Sequence, residues 1–493
     1  MFPTDNTLLT VDEMYAADKV AVEAGIASIT LMENAGGAVA QAIRDRWEPC
    51  RVTILCGPGN NGGDGYVVAR LLDEAGWTVT LTLLGDAADL KGDAKINADR
   101  WKGAVMPFSP GVLDGAELVV DALFGAGLAR DVDGSVRDVI EAIGGRPIVS
   151  IDVPSGVHGD SGAIMGIAPR ADLTVTFFRR KPGHLLLPGR AYCGEVLVAD
   201  IGIPDSVLAG ISSAQFGNGP ALWAERFPWP QLEDHKYSRG HAIVAGGRHM
   251  TGAARLAARA AQRVGAGLVT AIVPADAFVV YKITLSSVLV QSFLDTARFA
   301  ELIGERRVSA CLVGPGNEVS GGTRERALAA LRTGKPVVLD ADALTVFEDA
   351  VDLLFDAING PCVLTPHDGE FARLFDSDGD KLARVRRAAA LSGAVVVLKG
   401  PDTVIAAPDG RAVINDNAPP DLATGGSGDV LAGLVTGLLA QGQDPFDAAC
   451  TAVWLHGAAA QEFGPGLVAD DLIETLPAVL RQLKQGEEVQ SDE

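Results

Sequence analysis

Ala423-Thr424-Gly425-Gly426-Ser427-Gly428-Asp429-Val430-Leu431-Ala432-Gly433 is the stretch on which the fold of this chain turns. Residues 424–429 carry little side-chain bulk, and the apolar helical run 430–439 follows at once. Glycines ahead of a helix let backbone N–H groups converge on one point, where the helix N-terminus adds partial positive charge. That combination suits an anion, phosphate above all. Asp429 opposes an anion there, unless it takes a proton from the group that attacks the phosphate. Phosphoryl transfer is therefore the first expectation. An N-capped helix after a glycine-rich turn is the plain structural alternative.

Working outward, short buried runs predict strands over 241–245, 268–273, 310–313, 336–339, 362–364 and 395–398, with a hairpin formed by 403–407 and 411–414 around Pro408-Asp409-Gly410. An Ala- and Arg-rich helix is expected over 253–264. Polar motifs follow four of these strands: Gly314-Pro315-Gly316-Asn317, Asp340-Ala341-Asp342-Ala343, Thr365-Pro366-His367-Asp368-Gly369-Glu370 and Lys399-Gly400-Pro401-Asp402-Thr403. Ligands bind at such strand ends in open α/β sheets. Each motif alone is weak, but four beside the glycine loop point to a site. No Gly-x-x-x-x-Gly-Lys-Ser/Thr and no kinase His-Arg-Asp or Asp-Phe-Gly occurs, so the two commonest phosphoryl-transfer designs are excluded.

The first half opens with a mainly helical stretch over 11–44, interrupted near Gly25. A strand over 51–56 then runs into Gly57-Pro58-Gly59-Asn60-Asn61-Gly62-Gly63-Asp64-Gly65, read as a loop, followed by a helix over 66–75 and a strand over 77–84. Further strands over 118–122, 147–152, 173–177 and 195–198 make this half a Rossmann-like three-layer sandwich. Gly57-x-Gly59-x-x-Gly62 also fits a dinucleotide-binding turn, which raises a dehydrogenase as the alternative. Asn60, Asn61 and Asp64 make the loop too polar for that role, and Leu83-Leu84-Gly85 stands where a ribose-binding acid belongs. Gly217-Asn218-Gly219-Pro220 and Pro228-Trp229-Pro230 break the pattern, so two α/β domains are expected, over 1–220 and 221–493. Residues 486–493 read as an unstructured acidic tail.

Composition narrows the partners. A net charge of −22 with no basic stretch argues against nucleic acid and anionic membranes. Six scattered cysteines without Cys-x-x-Cys or His pairing read as reduced thiols. No apolar run reaches membrane-spanning length, and Asp12 and Glu13 stand where a leader would be apolar, so a cytoplasmic protein is expected.

The Gly426-Ser427-Gly428-Asp429 loop with Thr365-Pro366-His367-x-x-Glu370 resembles the ribokinase-like family, in which sugar kinases carry Asn in place of His367. His367, with the match of residues 250–258 to the start of the domain, makes 235–483 similar to the NAD(P)H-hydrate dehydratase branch. The resemblance implies a ribokinase-like fold, Asp429 as catalytic base, and Ala253, Gly316, His367 and Asp429 around the hydrated nicotinamide nucleotide. It implies that Lys399, Gly400, Pro401, Asp402 and Thr403, with Gly425, Gly426, Ser427 and Gly428, hold an adenine nucleotide. ADP is the expected co-substrate, with Mg²⁺ near Glu370. In the first half, the Asn60 to Gly65 motif, Asp121-Ala122-Leu123-Phe124-Gly125, Asp152-Val153-Pro154-Ser155-Gly156 and Leu31-Met32-Glu33-Asn34-Ala35-Gly36 resemble the NAD(P)H-hydrate epimerase domain. That likeness implies substrate binding by Asn60, Asn61, Gly62, Gly63, Asp64, Gly125, Ala126, Gly127, Leu128, Ala129, Arg130, Asp131 and Asp152. It also implies K⁺ at Asn61, Asp121 and Ser155, hard oxygen donors from strand ends. Asp152 is the candidate acid or base, with Lys181 nearby. A homo-oligomer acting on NADHX and NADPHX is expected. A nucleotide-sensing scaffold is the non-enzyme alternative and predicts degraded catalytic positions, whereas Asp121, Asp152, His367 and Asp429 all stand in their motifs.

Overall fold

The computed structural model describes the backbone of residues 6–491 and the side chains of residues 6–486. The chain folds as two compact units, Thr7–Gln215 and Phe216–Glu493, the second also taking Asn6.

In the first unit the buried apolar runs form a seven-stranded sheet. Its strands are β1 (Arg51–Cys56), β2 (Thr78–Leu83), β3 (Val105–Pro107), β4 (Leu118–Ala122), β5 (Ile148–Ile151), β6 (Leu173–Phe177) and β7 (Glu195–Ala199). All are parallel, in the order β3-β2-β1-β4-β5-β6-β7. Strand side chains alternate between faces, and both faces are covered. Ile54, Val120 and Val149 belong to one apolar cluster, whereas Leu55, Val119 and Ile148 belong to another. This is the expected three-layer sandwich. The chain reverses direction across the sheet between β1 and β4, the point where a crevice opens at the strand ends.

Three helices shape that crevice. The helix α1 (Val11–Glu23) starts with a reciprocal cap between Thr10 and Glu13, and α2 (Ser28–Arg44) follows the turn at Gly25. The third corrects the sequence reading: Asn60 to Gly65 is not a loop but the opening of α3 (Asn60–Glu74). Its glycines serve close approach. A Cβ on Gly62 would lie 1.8 Å from the Gly57 carbonyl oxygen, one on Gly63 2.7 Å from Met32 Sδ, and one on Gly65 2.7 Å from Ala122 Cβ. Packing against β1, β4 and α2 thus outweighs the poor helix propensity of glycine, about 1 kcal/mol per residue.

The second unit is built on a ten-stranded sheet. Its strands are β8 (Gln215–Gly217), β9 (His241–Ala245), β10 (Leu268–Pro274), β11 (Leu289–Phe293), β12 (Ala310–Val313), β13 (Val337–Leu339), β14 (Cys362–Leu364), β15 (Val395–Leu398), β16 (Val404–Ala406) and β17 (Ala412–Ile414). The order is β11-β10-β9-β12-β13-β14-β15-β16-β17-β8. Pairing is parallel from β11 to β15 and antiparallel through the predicted hairpin. Helices Thr251–Arg263 and Ser427–Ala440 pack closely because Gly433 and Gly437 lie against the backbone of Ala257 and Ala261. The acidic tail, expected to be unstructured, continues the helix Ala469–Ser491; residues 492 and 493 lie outside the described ones.

Candidate active sites

In the first unit a cavity of about 950 Å³ opens at the ends of β1, β4 and β5 and is walled on another side by α1 and α2. Of the expected residues, Asn60, Asn61, Asp64, Gly125, Ala126, Gly127, Leu128, Ala129, Arg130 and Asp152 line it. Gly62, Gly63 and Asp131 do not: the two glycines face the packing of α3, and Asp131 is exposed beyond the rim.

Asp152 follows β5 in a left-handed conformation, φ 67°, rare for a residue with a Cβ. The turn aims its carboxylate into a set of donors. Lys181 Nζ donates to Oδ1 at 2.6 Å, Thr176 Oγ1 donates to the same oxygen at 3.1 Å, and the Ala126 N–H donates to Oδ2 at 2.9 Å. Burial pushes its proton affinity up, but Lys181 and these hydrogen bonds outweigh it and hold the pKa down at about 2. His184 Nδ1 accepts from the Lys181 N–H at 2.9 Å, so its Nε2 carries the hydrogen and donates to the Asp152 carbonyl at 2.8 Å. Burial, with Lys181 close by, lowers the His184 pKa to about 4, so the ring is neutral.

Asp121 lies below the cavity floor, fully buried at the end of β4. It accepts from the Ser155 N–H at 2.8 Å, from Ser155 Oγ at 2.5 Å and from Ser150 Oγ at 3.1 Å. Ser155 Oγ also reaches the Phe124 carbonyl at 3.2 Å. A Cβ on the next residue, Gly125, would sit 3.3 Å from Asn61 Oδ1. The buried Asn61 Nδ2 has no protein partner and, as an N–H donor, calls for an acceptor, so only the Oδ1 of Asn61 could serve a cation. The donors are all oxygen with one carboxylate, a set that fits an alkali cation and not a thiophilic metal. Among the described residues no group of three or more His, Cys, Asp or Glu could hold a metal ion.

Residues that the sequence reading missed line the same cavity: Tyr15 and Asp18 on α1, with Phe177 at the end of β6. Nothing in the sequence separates Tyr15 and Asp18 from the solvated face of an amphipathic helix.

In the second unit Gly426, at φ 91°, precedes the helix Ser427–Ala440, and Asp429 sits in its first turn. Lys399 reaches under this loop from the end of β15: a Cβ on Gly428 would lie 3.5 Å from its Nζ. That ammonium donates to Asp340 Oδ1 at 2.7 Å and lies 3.9 Å from Glu370 Oε2. Burial would lower the Lys399 pKa, but Asp340 and Glu370 outweigh it and raise it. Asp429 has the opposite setting. Burial, then the charge of Asp340, raise its pKa to about 6 despite Lys399. His456 Nε2 lies 2.9 Å from the Ser427 carbonyl and fixes the loop from behind.

His367 caps the helix Asp368–Leu374, its Nδ1 accepting the N–H groups of Gly369 at 3.0 Å and Glu370 at 3.3 Å. Glu370 answers by accepting the His367 N–H at 2.9 Å. The His367-x-x-Glu370 spacing carried that capping signal. Glu370 is therefore committed to the cap, and Asp340 to Lys399 and Thr365. Ala253 and Gly316 meet, with a Cβ on Gly316 falling 3.3 Å from Ala253 Cβ. Asp402 pairs with Lys381 at 2.5 Å, and Thr403 Oγ1 donates to the Gly400 carbonyl at 2.8 Å and accepts the Gly400 N–H at 3.1 Å, while the Lys399 N–H donates to the Pro366 carbonyl at 2.9 Å, so these bonds shape the 399–403 turn. Of the glycine loop, Gly425 is exposed and a Cβ on it would meet nothing within 4 Å, and Ser427 Oγ donates to the Leu422 carbonyl.

Residues 241–478 match the family described as NAD(P)H-hydrate dehydratase, and residues 28–183 match the YjeF-related protein N-terminus family. The chain is 38% identical to the bifunctional NAD(P)H-hydrate repair enzyme Nnr of Salinibacter ruber over 96% of both chains. It is 37% identical to that of Moorella thermoacetica over 97% of both. Among solved structures it is similar to the ADP/ATP-dependent NAD(P)H-hydrate dehydratase of Bacillus subtilis, with 31% identity and a TM-score of 0.47, over 52% of this chain and 94% of that one.

Proposed function

The chain belongs to the bifunctional NAD(P)H-hydrate repair enzymes, and from that premise we propose how its two sites divide the work. The first unit interconverts the R and S hydrates of NADH and NADPH. The second dehydrates the S form with ADP, giving NAD(P)H, phosphate and AMP. The observation that carries the reading is Asp429, a carboxylate of raised proton affinity at the mouth of a glycine loop above Lys399.

Hydroxide leaves the hydrated ring poorly, so it must first become a better leaving group. Asp429 takes the proton of the ring hydroxyl as its oxygen attacks the terminal phosphorus of ADP, and the P–O bond to AMP breaks. N–H groups at the start of the helix Ser427–Ala440 and the Lys399 ammonium stabilise the transferring phosphoryl. The ring nitrogen's lone pair then forms a C=N bond as phosphate departs, and loss of a neighbouring C–H proton restores the reduced ring. Mg²⁺ belongs with the nucleotide phosphates, where it keeps most of its water.

In the first unit Asp152, kept ionised by Lys181, is the base that receives a proton as the hydroxyl returns to the ring. Asn61, Asp121 and Ser155 would hold K⁺, which supplies fixed positive charge beside the substrate's polar groups. Asn60, Asp64 and residues 125–130 surround the ribose and phosphates. Exposed Val279, Val280 and Ile283 beside the edge strand β11 support a homo-oligomer, which sedimentation at micromolar concentration tests. All six cysteines are free, which supports a reducing, cytoplasmic setting, and no described helix is long and apolar enough to cross a membrane. The enzyme should convert a mixed R/S hydrate to NAD(P)H, read by absorbance, faster with ADP than with ATP. No recovery with either nucleotide would refute the assignment.

A further inference from the structure

The cavity of the first unit holds a carboxyl that the scheme above leaves unused. Asp18 lines the wall formed by α1, half-buried, and makes no hydrogen bond or ion pair with any described residue. It has no part in building the helix: Thr10 and Glu13 cap α1, and Met14, Ala17 and Ala21 bury its apolar face. An unpartnered, partly desolvated carboxyl costs stability, so its place on a cavity wall asks for a chemical reason.

The reaction proposed for this unit supplies one. R and S hydrates differ only in which face of the ring carries the hydroxyl. Exchange by loss and return of that hydroxyl therefore needs a proton donor on one face and an acceptor on the other. Asp152 and Lys181 occupy the wall at the strand ends, and Asp152, paired with an ammonium at 2.6 Å, holds no proton to give. We propose that Asp18 is the acid of the exchange, protonating the departing hydroxyl on the ring face turned toward α1. This rests on the epimerase reading of the first unit. The C–O bond breaks with its electron pair on oxygen, the Asp18 proton makes the leaving group water, and the ring nitrogen's lone pair closes a C=N bond. A water on the other face then adds to that carbon, its proton passing to Asp152, and solvent exchange resets both carboxyls. The groups whose charge Asp18 feels or perturbs are Lys181 and Asp152, Asp64 on α3 and Tyr15 on its own helix, and Lys19, Glu23, Asp93 and Arg130 line the same cavity. Burial raises the Asp18 pKa to about 6, with Lys181 lowering and Asp152 raising it, so a proton is available near neutrality.

The test uses the full chain with R hydrate and ADP, with S-hydrate dehydration measured alongside as an internal standard and thermal unfolding as the check on folding. In the wild type, kcat/KM for exchange should fall as pH rises through about 6, since only the protonated carboxyl donates. Asp18→Asn should lower it about 100-fold and remove that fall, while Asp18→Glu, a longer acid, should recover part of the rate and keep a pH-dependent fall. Asp18→Asn within threefold of the wild type, or a residual rate that still falls through pH 6, would overturn the proposal. So would a folded Asp18→Glu no faster than Asp18→Asn. Absence of exchange in the wild type would instead overturn the epimerase reading.

Discussion

Asp152, after a strand end, and Asp429, in the first turn of a helix, each lie near a lysine, yet they hold protons with very different strength. Asp152 takes its lysine directly, with two further hydrogen bonds, and its pKa drops to about 2. Lys399 is instead bound to Asp340, so it offsets only part of the effect of burial and of three nearby carboxylates on Asp429, which rises to about 6. A lysine beside an aspartate does not by itself set its charge; what decides is whether a second carboxylate has claimed that lysine. The first site thus keeps a fixed anion, and the second a carboxyl with real affinity for a proton.

That contrast can be broken most forcefully at Asp429. Asp429→Asn should lower S-hydrate dehydration by about 10²–10⁴-fold, the range for losing a general base, while R/S exchange continues; a variant that still dehydrates at a tenth of the wild-type rate removes Asp429 as base. Lys399→Met should cost about 3–5 kcal/mol of stability, read by denaturant unfolding, because it leaves Asp340 buried and unpaired. In the surviving protein the Asp429 titration should move above 6, since the one cation lowering it is gone. In the wild type, kcat/KM for dehydration should rise with pH and level off above about 6, because the ionised form of Asp429 is the base. The smallest effect is on stability. A carboxyl whose folded pKa lies above its unfolded value destabilises the fold above pH 6, so Asp429→Asn should raise Tm at pH 7 by about 2–4 °C. Asp152 has the opposite sign: its stabilisation is present above about pH 4 and is lost as pH falls toward 2.

Much of this was legible before any coordinates. Runs such as 118–122, 173–177 and 395–398 are buried on both faces, so their bounds coincide with hydrophobicity that has no competitor. The edge strands β3 and β11 were invisible, one three residues long and the other exposed at three of its five positions without a regular alternation. The Asn60 to Gly65 segment was misread because glycine signals loop by propensity, while its purpose here is contact with Gly57, Met32 and Ala122. The motif residues were recognisable, but their electrostatics were not. That Asp340 claims Lys399 depends on strand ends far apart in sequence. Asp18 had no signal at all, because a carboxylate on a helix reads as a solvated face until a cavity is seen beside it.

The most direct test of two separate aspartate-centred sites is the full progress curve of an R/S hydrate mixture with ADP, for the wild type and Asp152→Asn. The wild type should convert the whole mixture in one continuous phase. Asp152→Asn should consume the S fraction at the wild-type rate and then slow by about 100-fold when only R remains. A variant that slows equally in both phases, or that runs through the R fraction at the wild-type rate, would contradict the division of labour.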